Sequence, residues 1–439
     1  MSNATRTPLY FACMALLIAA TGILQSWDSA LNLLNFGLIA AVMALGVNMQ
    51  WGYAGLFNVG IMGFVALGGV AAVLVAMPPV NDAWAQGGLR MILALTVGIG
   101  AIIAAIMAFR RLKGQRFRGL IVLAILVIGA LAFRALFGPA RDAIEAVNPA
   151  GEGYLGGLGL PILIAWPVGA LFAAGAAWIV GKTALGLRSD YLAIATLGIS
   201  EIILAVIRNE DWLTRGVKNV NGLPRPWPVP YEIELQEDPG FLARAEAWGV
   251  DPVGLSTLTV KLAYAGLFLT VVLILMWLAQ KALKSPWGRM MRAIRDNETA
   301  AEAMGKDVKK RHLHIFVIGS AVCGLAGAMM TTMDGLLNPG AYQPLRYTFL
   351  IWVMVIVGGS GNNWGAVLGG MLVWFLYVQV EPMGTWLMGV LTAGLQDGSA
   401  LKQHLIDNAI YMRFLVMGIV LLLVLRFSPR GLIPERSAR

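Results

Sequence analysis

Residues 31–77 read LNLLNFGLIAAVMALGVNMQWGYAGLFNVGIMGFVALGGVAAVLVAM, two apolar runs (31–49 and 54–77) on either side of a short polar turn at 50–53. The hydrocarbon core of a bilayer takes about 20 residues of helix, with a range of roughly 17 to 25. Each run meets that length, and the whole stretch carries no charged residue. Such a segment in water would expose far more apolar surface than a soluble fold tolerates. It reads as a pair of membrane helices joined by a tight turn.

The same criterion applied outward picks out 9–24, 91–109, 120–137, 160–181, 191–207, 262–279 and 315–330. Three further runs, 347–358, 366–380 and 410–425, are shorter or interrupted. Twelve spans result, or ten or eleven if the pair 347–358 and 366–380 is re-entrant. The expected fold is therefore an all-α polytopic membrane bundle of about 10–12 transmembrane helices. Composition agrees: 58% of the 439 residues are apolar and 13% charged, about half the charge of a soluble domain, and mean hydropathy is +0.72. The 52 glycines form no collagen-like period and suit close helix packing in lipid. Run 9–24 follows Arg6 without a small-residue cleavage site, so it reads as a retained first helix.

Loop charge orients the bundle. Residues 110–118 hold five basic residues and no acidic one, and 281–312 hold nine basic against four acidic. The tail carries Arg426, Arg430, Arg436 and Arg439, whereas 208–259 has five basic and eight acidic residues. Alternation through the spans puts every basic loop on one face and the acidic loop on the other. By the positive-inside rule both termini and 281–312 are cytoplasmic, in a bacterial-type inner membrane. Trp27, Trp84 and Trp277 stand near span ends, as interfacial anchors do. A net charge of +9, confined to such loops, does not point to nucleic acid.

Several chemistries are excluded. Cys13 and Cys323 lie inside apolar runs, which argues against a disulfide framework or a thiolate metal site. His312, His314 and His404 are placed at loop edges, unsuited to haem or metal catalysis; no metal site is expected. Gly181-Lys182-Thr183 resembles the end of a P-loop, but Ala176 stands where the first glycine is required. This chain is expected to bind no cofactor, and any ATP and magnesium belong to other chains.

Four groups of residues invite a role. Glu201 is an acid well inside a span, where a carboxylate costs about 2.5–3.5 kcal/mol and must face a polar cavity or a partner; Tyr191, Thr196 and Ser200 share its helix. Asn48 and Asn58 flank the 50–53 turn, with Asn32 and Asn35 at the far end, as helix–helix glue or solute contacts. Gly358, Gly359, Gly361, Gly365 and Gly369 surround Asn362-Asn363, either a broken helix lining a pathway or a tight hairpin turn. The loop from Ser285, SPWGRMMRAIRDNETAAEAMGKDVKKRHL, predicts one or two short amphipathic helices. Asp296 or Asn297 offers a cap, Thr299 and Glu302 a capping box, and Gly305 a stop. Met290, Met291, Ile294, Ala300, Ala301 and Met304 give it an apolar component suited to docking a cytosolic partner.

Ser189-Asp190-Tyr191-Leu-Ala-Ile-Ala-Thr-Leu-Gly-Ile-Ser-Glu201, the loop GRMMRAIRDNETAAEAMG at 288–305, Gly324-Leu-Ala-Gly-Ala-Met, Val357-Gly-Gly-Ser-Gly with Trp364-Gly, and Arg426-Phe-Ser-Pro-Arg-Gly-Leu together resemble the LivM-type permease subunits of branched-chain amino-acid ABC importers. The resemblance covers roughly 31–77 and 160–432. It implies an ABC importer permease bundle that pairs with a homologous permease, two cytosolic ATP-binding subunits and a periplasmic solute-binding protein. It also implies that Arg295, Glu298, Ala301, Glu302 and Gly305 belong to a coupling helix seated in an ATPase. By the same resemblance 1–30 is an additional helix, 31–81 the first permease helices, 82–158 an insertion with two extra spans, 159–432 the core and 433–439 a tail. Ser189, in place of a common glycine, and Asn362-Asn363 depart from the family pattern. Related permeases take urea or short amides. An ion-coupled secondary transporter with Glu201 as coupling group, or a membrane redox subunit, would stand outside the family.

Overall fold

The computed structural model describes residues 3–149, 151–187, 189–394 and 399–435. Arg436 and Arg439 of the basic tail lie outside them. The principal helices are α1 (Asn3–Leu24), α2 (Trp27–Ala54), α3 (Ile61–Ala76), α4 (Leu89–Arg111), α5 (Arg118–Glu145), α6 (Ile162–Ala184), α7 (Ser189–Asn209), α8 (Pro252–Lys284), α9 (Pro286–Asp296), α10 (Glu298–Ala303), α11 (Val308–Asp334), α12 (Pro344–Gly358), α13 (Asn363–Leu391) and α14 (Met412–Phe427). Among the described residues ten helices are long and apolar enough to cross a membrane, and α3 and α12 are shorter apolar helices. The chain is an all-α, multi-pass membrane protein.

At the centre stands α2, buried along most of its length. Ser26 caps it by accepting from the Ser29 N–H at 3.1 Å. It packs against α1, α8, α11, α12 and α13, while α3, α6 and α11 form a second layer. Small residues set these distances. A Cβ on Gly46 of α2 would lie 2.7 Å from both Cys323 Sγ and the Gly319 carbonyl of α11. Lipid offers no hydrophobic force between helices, so contact must come from such close approach. The α4–α5 pair packs mainly on itself and is largely exposed. Its far end rests on Ala83 and Trp212.

Loops gather at two ends. At one, Val220–Asn221 pairs antiparallel with Leu336–Leu337, Pro79 bridges Gly156, and Arg208 donates to the Tyr342 carbonyl at 2.7 Å. At the other, α9 meets the 359–362 turn and the C-terminal segment. The acidic loop belongs to the first end and the 281–312 loop to the second.

Three local readings need correction. Residues 50–53 are not a turn but the last turn of α2, and 54–77 is not one helix. The chain leaves α2 at Gly55 (φ +69°), runs without helix or strand through 55–60, and re-enters a helix only at Ile61. Thr299 and Glu302 form no capping box, because Thr299 is already inside α10. Asn297 is the cap, accepting from the Ala300 N–H at 2.9 Å, and Gly305 (φ +76°) supplies the stop. The run read as 366–380 is part of a longer helix, α13, that extends to Leu391, while the glycine-rich stretch takes the tight-turn alternative, with the turn itself at 359–362.

Candidate functional site

The break at 55–60 is apolar in sequence yet built around polar contacts. At membrane depth, backbone groups outside a helix must be satisfied by protein or trapped water. Here Gln50, buried in α2, donates to the Phe316 carbonyl and Ser320 Oγ of α11, both at 3.0 Å. Its own carbonyl oxygen accepts from Asn58 Nδ2 at 2.9 Å. Asn58 Oδ1 accepts from the Gly60 N–H at 2.9 Å, and the Asn58 backbone carbonyl accepts from Trp352 Nε1 of α12 at 3.0 Å. The Val59 N–H donates to Thr196 Oγ1 on α7 at 3.1 Å. A Cβ on Gly60 would sit 2.8 Å from the Thr196 carbonyl carbon, so α7 presses directly on the break. Trp51, Phe57 and Trp352 close the arrangement with edge-on rings 4.7–5.8 Å apart. One six-residue segment thus touches α2, α7 and α12, and reaches α11 through Gln50, by side chains whose loss would strand buried donors, at about 1–3 kcal/mol each.

Asn48 and Asn58 do different things. Asn48 Nδ2 donates to Asn363 Oδ1 at 3.1 Å, and Asn48 Oδ1 accepts from the Gly361 N–H at 2.8 Å. It fixes α2 to the α12–α13 turn, where Gly359 (φ +115°) and Gly361 (φ +83°) adopt backbone conformations that disfavour side chains. Gly358 and Gly365 let the two helices meet at backbone distance: a Cβ on Gly365 would lie 2.6 Å from the Gly358 carbonyl oxygen. Tyr53 adds a hydrogen bond to Asn363. The C-terminal segment lies alongside, with the Leu432 and Ile433 N–H groups donating to Val357 and Gly358 carbonyls.

Arg295, the last basic residue of α9, joins these parts. Its guanidinium donates to the Gly52 carbonyl near the end of α2 and to Glu435 at 2.9 Å. Arg292 stands 3.8 Å from the same carboxylate. Of the apolar component of the loop, Met291 and Ile294 are fully buried against the bundle, and Ala301 is buried on the underside of α10. Ala300, Glu298, Glu302 and Gly305 are exposed, and Met304 is 79% exposed. The helix pair therefore spends half of its apolar face on its own bundle and turns the other end outward.

On α7, Thr196 and Ser200 are buried, whereas Tyr191, Ile194, Glu201 and Ile202 are exposed. Residues five apart on a helix point about 140° apart, so Thr196 and Glu201 occupy different faces. The Glu201 carboxylate has no partner among the described residues and sits amid apolar exposed neighbours. Gln50, Trp352, Asn363 and Glu435 complete the site, and Trp352 and Glu435 do not stand out in the sequence. Gln50 carries a signal there as a polar residue between two apolar runs, and Asn363 as part of the glycine-rich break.

The family described as branched-chain amino acid transport system, permease component, matches residues 136–425. The chain belongs to this family. Along nearly its full length the permease is 25% identical, over 410 residues covering 92% of each chain, to the probable branched-chain amino acid transport permease protein LivM of Methanocaldococcus jannaschii. It is 29% identical over 217 residues to the high-affinity branched-chain amino acid transport system permease protein LivM of Escherichia coli, about half of each chain. The xylose transport system permease protein XylH of Escherichia coli is more distant, at 21% over 393 residues. No solved structure matches. The permease is a transport subunit, not an enzyme.

Proposed function

We propose that this permease is one membrane subunit of an ATP-driven importer for branched-chain amino acids. A second, homologous permease packs against the Glu201 face of α7 and completes the solute path. Support for a two-permease assembly comes from the LivH-named permease of Methanocaldococcus jannaschii, 30% identical over 103 residues. A solute-binding protein docks on the acidic end, which is periplasmic. Two ATP-binding subunits, which hold the ATP and magnesium, grip α10 from the cytoplasm, where both termini also lie.

The observation that carries this reading is the contact chain from the exposed helix pair to the buried break. Movement of α9 and α10 pulls on the Gly52 carbonyl through Arg295, three residues before the break begins. Displacement of 55–60 is then passed through Val59 and Gly60 to Thr196, and rotates or shifts α7. Glu201, on another face of that helix, moves with it. A two-state bundle biased by ATP needs such a mechanical link.

The test is uptake of labelled leucine by the reconstituted assembly with and without ATP. Uptake is expected to require ATP, and Glu201→Gln is expected to lower it at least fivefold with assembly intact. Undiminished uptake in Glu201→Gln would make the carboxylate structural; uptake driven by an ion gradient without nucleotide would refute the importer reading.

A further inference from the structure

Between α2, α3, α11, α12 and α13 lies a recess of about 170 Å³. It extends from the acidic end, at Asp334, Ala341 and Tyr347, towards the middle of the bundle at Met43, Met62 and Met354. Its walls are aliphatic, thioether and aromatic, and Asp334 is its one charged lining residue. A dry apolar cavity of about 150 Å³ holds a molecule the size of benzene, so this recess is sized for an aliphatic group of about six heavy atoms.

Asp334 does nothing visible for the fold. It is the last residue of α11, where the helix dipole disfavours an anion. It is exposed and has no hydrogen-bond or ion-pair partner among the described residues. A hard metal cation would need several further oxygen ligands, which thioether and hydrocarbon walls do not supply. An organic ammonium needs only the carboxylate and gains from aromatic faces, here Tyr347 and Trp374. The nearby Arg346 is engaged with the Tyr377 hydroxyl at 2.9 Å and does not line the recess.

We propose that this recess is a holding site for a primary-ammonium solute with a short aliphatic chain. The ammonium rests on Asp334 at the mouth and the chain points down the shaft. A carboxylate on the same solute stays in water at the mouth, since no cation lines the walls. That the natural occupant is an amino acid on its way through the membrane rests on the importer reading above; the site itself does not.

The test is isothermal titration of the full-length permease in nanodiscs with 3-methylbutylamine and with uncharged 3-methylbutan-1-ol. Asp334→Asn is expected to weaken amine binding at least tenfold and leave the alcohol unchanged. Ala341→Leu, a smaller change at the half-buried mouth, is expected to weaken both at least fivefold. Equal amine binding in wild type and both variants, or an effect of Asp334→Asn alone, overturns the site. Displacement of the amine by leucine supports the site even if the assembled importer moves no leucine, a result that would count against the importer reading instead.

Discussion

Replacing Arg295 with alanine is expected to lower solute uptake by the assembled importer at least tenfold while ATP hydrolysis continues. The guanidinium is the polar bridge from α9 to the end of α2, and it binds the Gly52 carbonyl and Glu435 together. Hydrogen bonds to charged groups are worth about 1.5–3 kcal/mol, enough to account for a tenfold loss if the bridge is made more strongly in one state of the cycle. The rest of α9 stays anchored, because Met291 and Ile294 remain buried in the bundle. Hydrolysis is thereby separated from movement of the break. Arg295→Lys keeps the charge but replaces the planar guanidinium, one of whose terminal nitrogens serves both acceptors, with a shorter-reaching ammonium, so it should recover only part of the uptake. Paired measurement of phosphate release and leucine uptake in proteoliposomes checks the result. Parallel loss of both activities would mean that Arg295 only holds the assembly together.

Gly327→Val is expected to abolish folded permease altogether. Gly327 lies on α11 where it crosses α3, and a Cβ there would come 2.7 Å from the Val65 carbonyl carbon and 3.0 Å from its Cα. The obstacle is backbone, so no side-chain rotation relieves it. Separating the helices would open the layer that α3, α6 and α11 share, where overpacking of even a methylene or two costs about 1–3 kcal/mol. Gly266→Val on α8 is the control, since nothing lies within 4 Å of a Cβ built at that glycine. Size-exclusion chromatography of the detergent-solubilised protein should show a monodisperse peak for Gly266→Val and none for Gly327→Val.

These predictions concern features that the sequence discloses unequally. Apolar length and loop charge make the helices and their two ends readable, because lipid imposes both directly. The 281–312 loop is readable as short helices because Asn297 and Gly305 are an ordinary cap and stop. The break at 55–60 is hidden because hydropathy registers side chains and not backbone hydrogen bonds. Leu56, Phe57 and Val59 look like helix, and only Gly55, Asn58 and Gly60 in close succession hint otherwise. Asn48 is legible as glue but its partner Asn363 is not, since it lies more than 300 residues away in the chain. Nor can spacing show that Arg295 faces inward while Met304 faces out, since that depends on which side of α9 meets the bundle. Asp334 gives no signal at all, because an acid at the end of an apolar run reads as an ordinary span boundary.

Cross-linking from position 304 tests the coupling account most directly. With Cys13 replaced by serine and Cys323 left buried, Met304→Cys places one accessible thiol on the exposed end of the helix pair. In the reconstituted importer a short thiol-reactive cross-linker is expected to join it to an ATP-binding subunit, with a yield that changes when ATP is trapped. Labelling of the introduced thiol by an impermeant reagent from the periplasmic side, or no ATPase adduct under any nucleotide condition, would contradict the account.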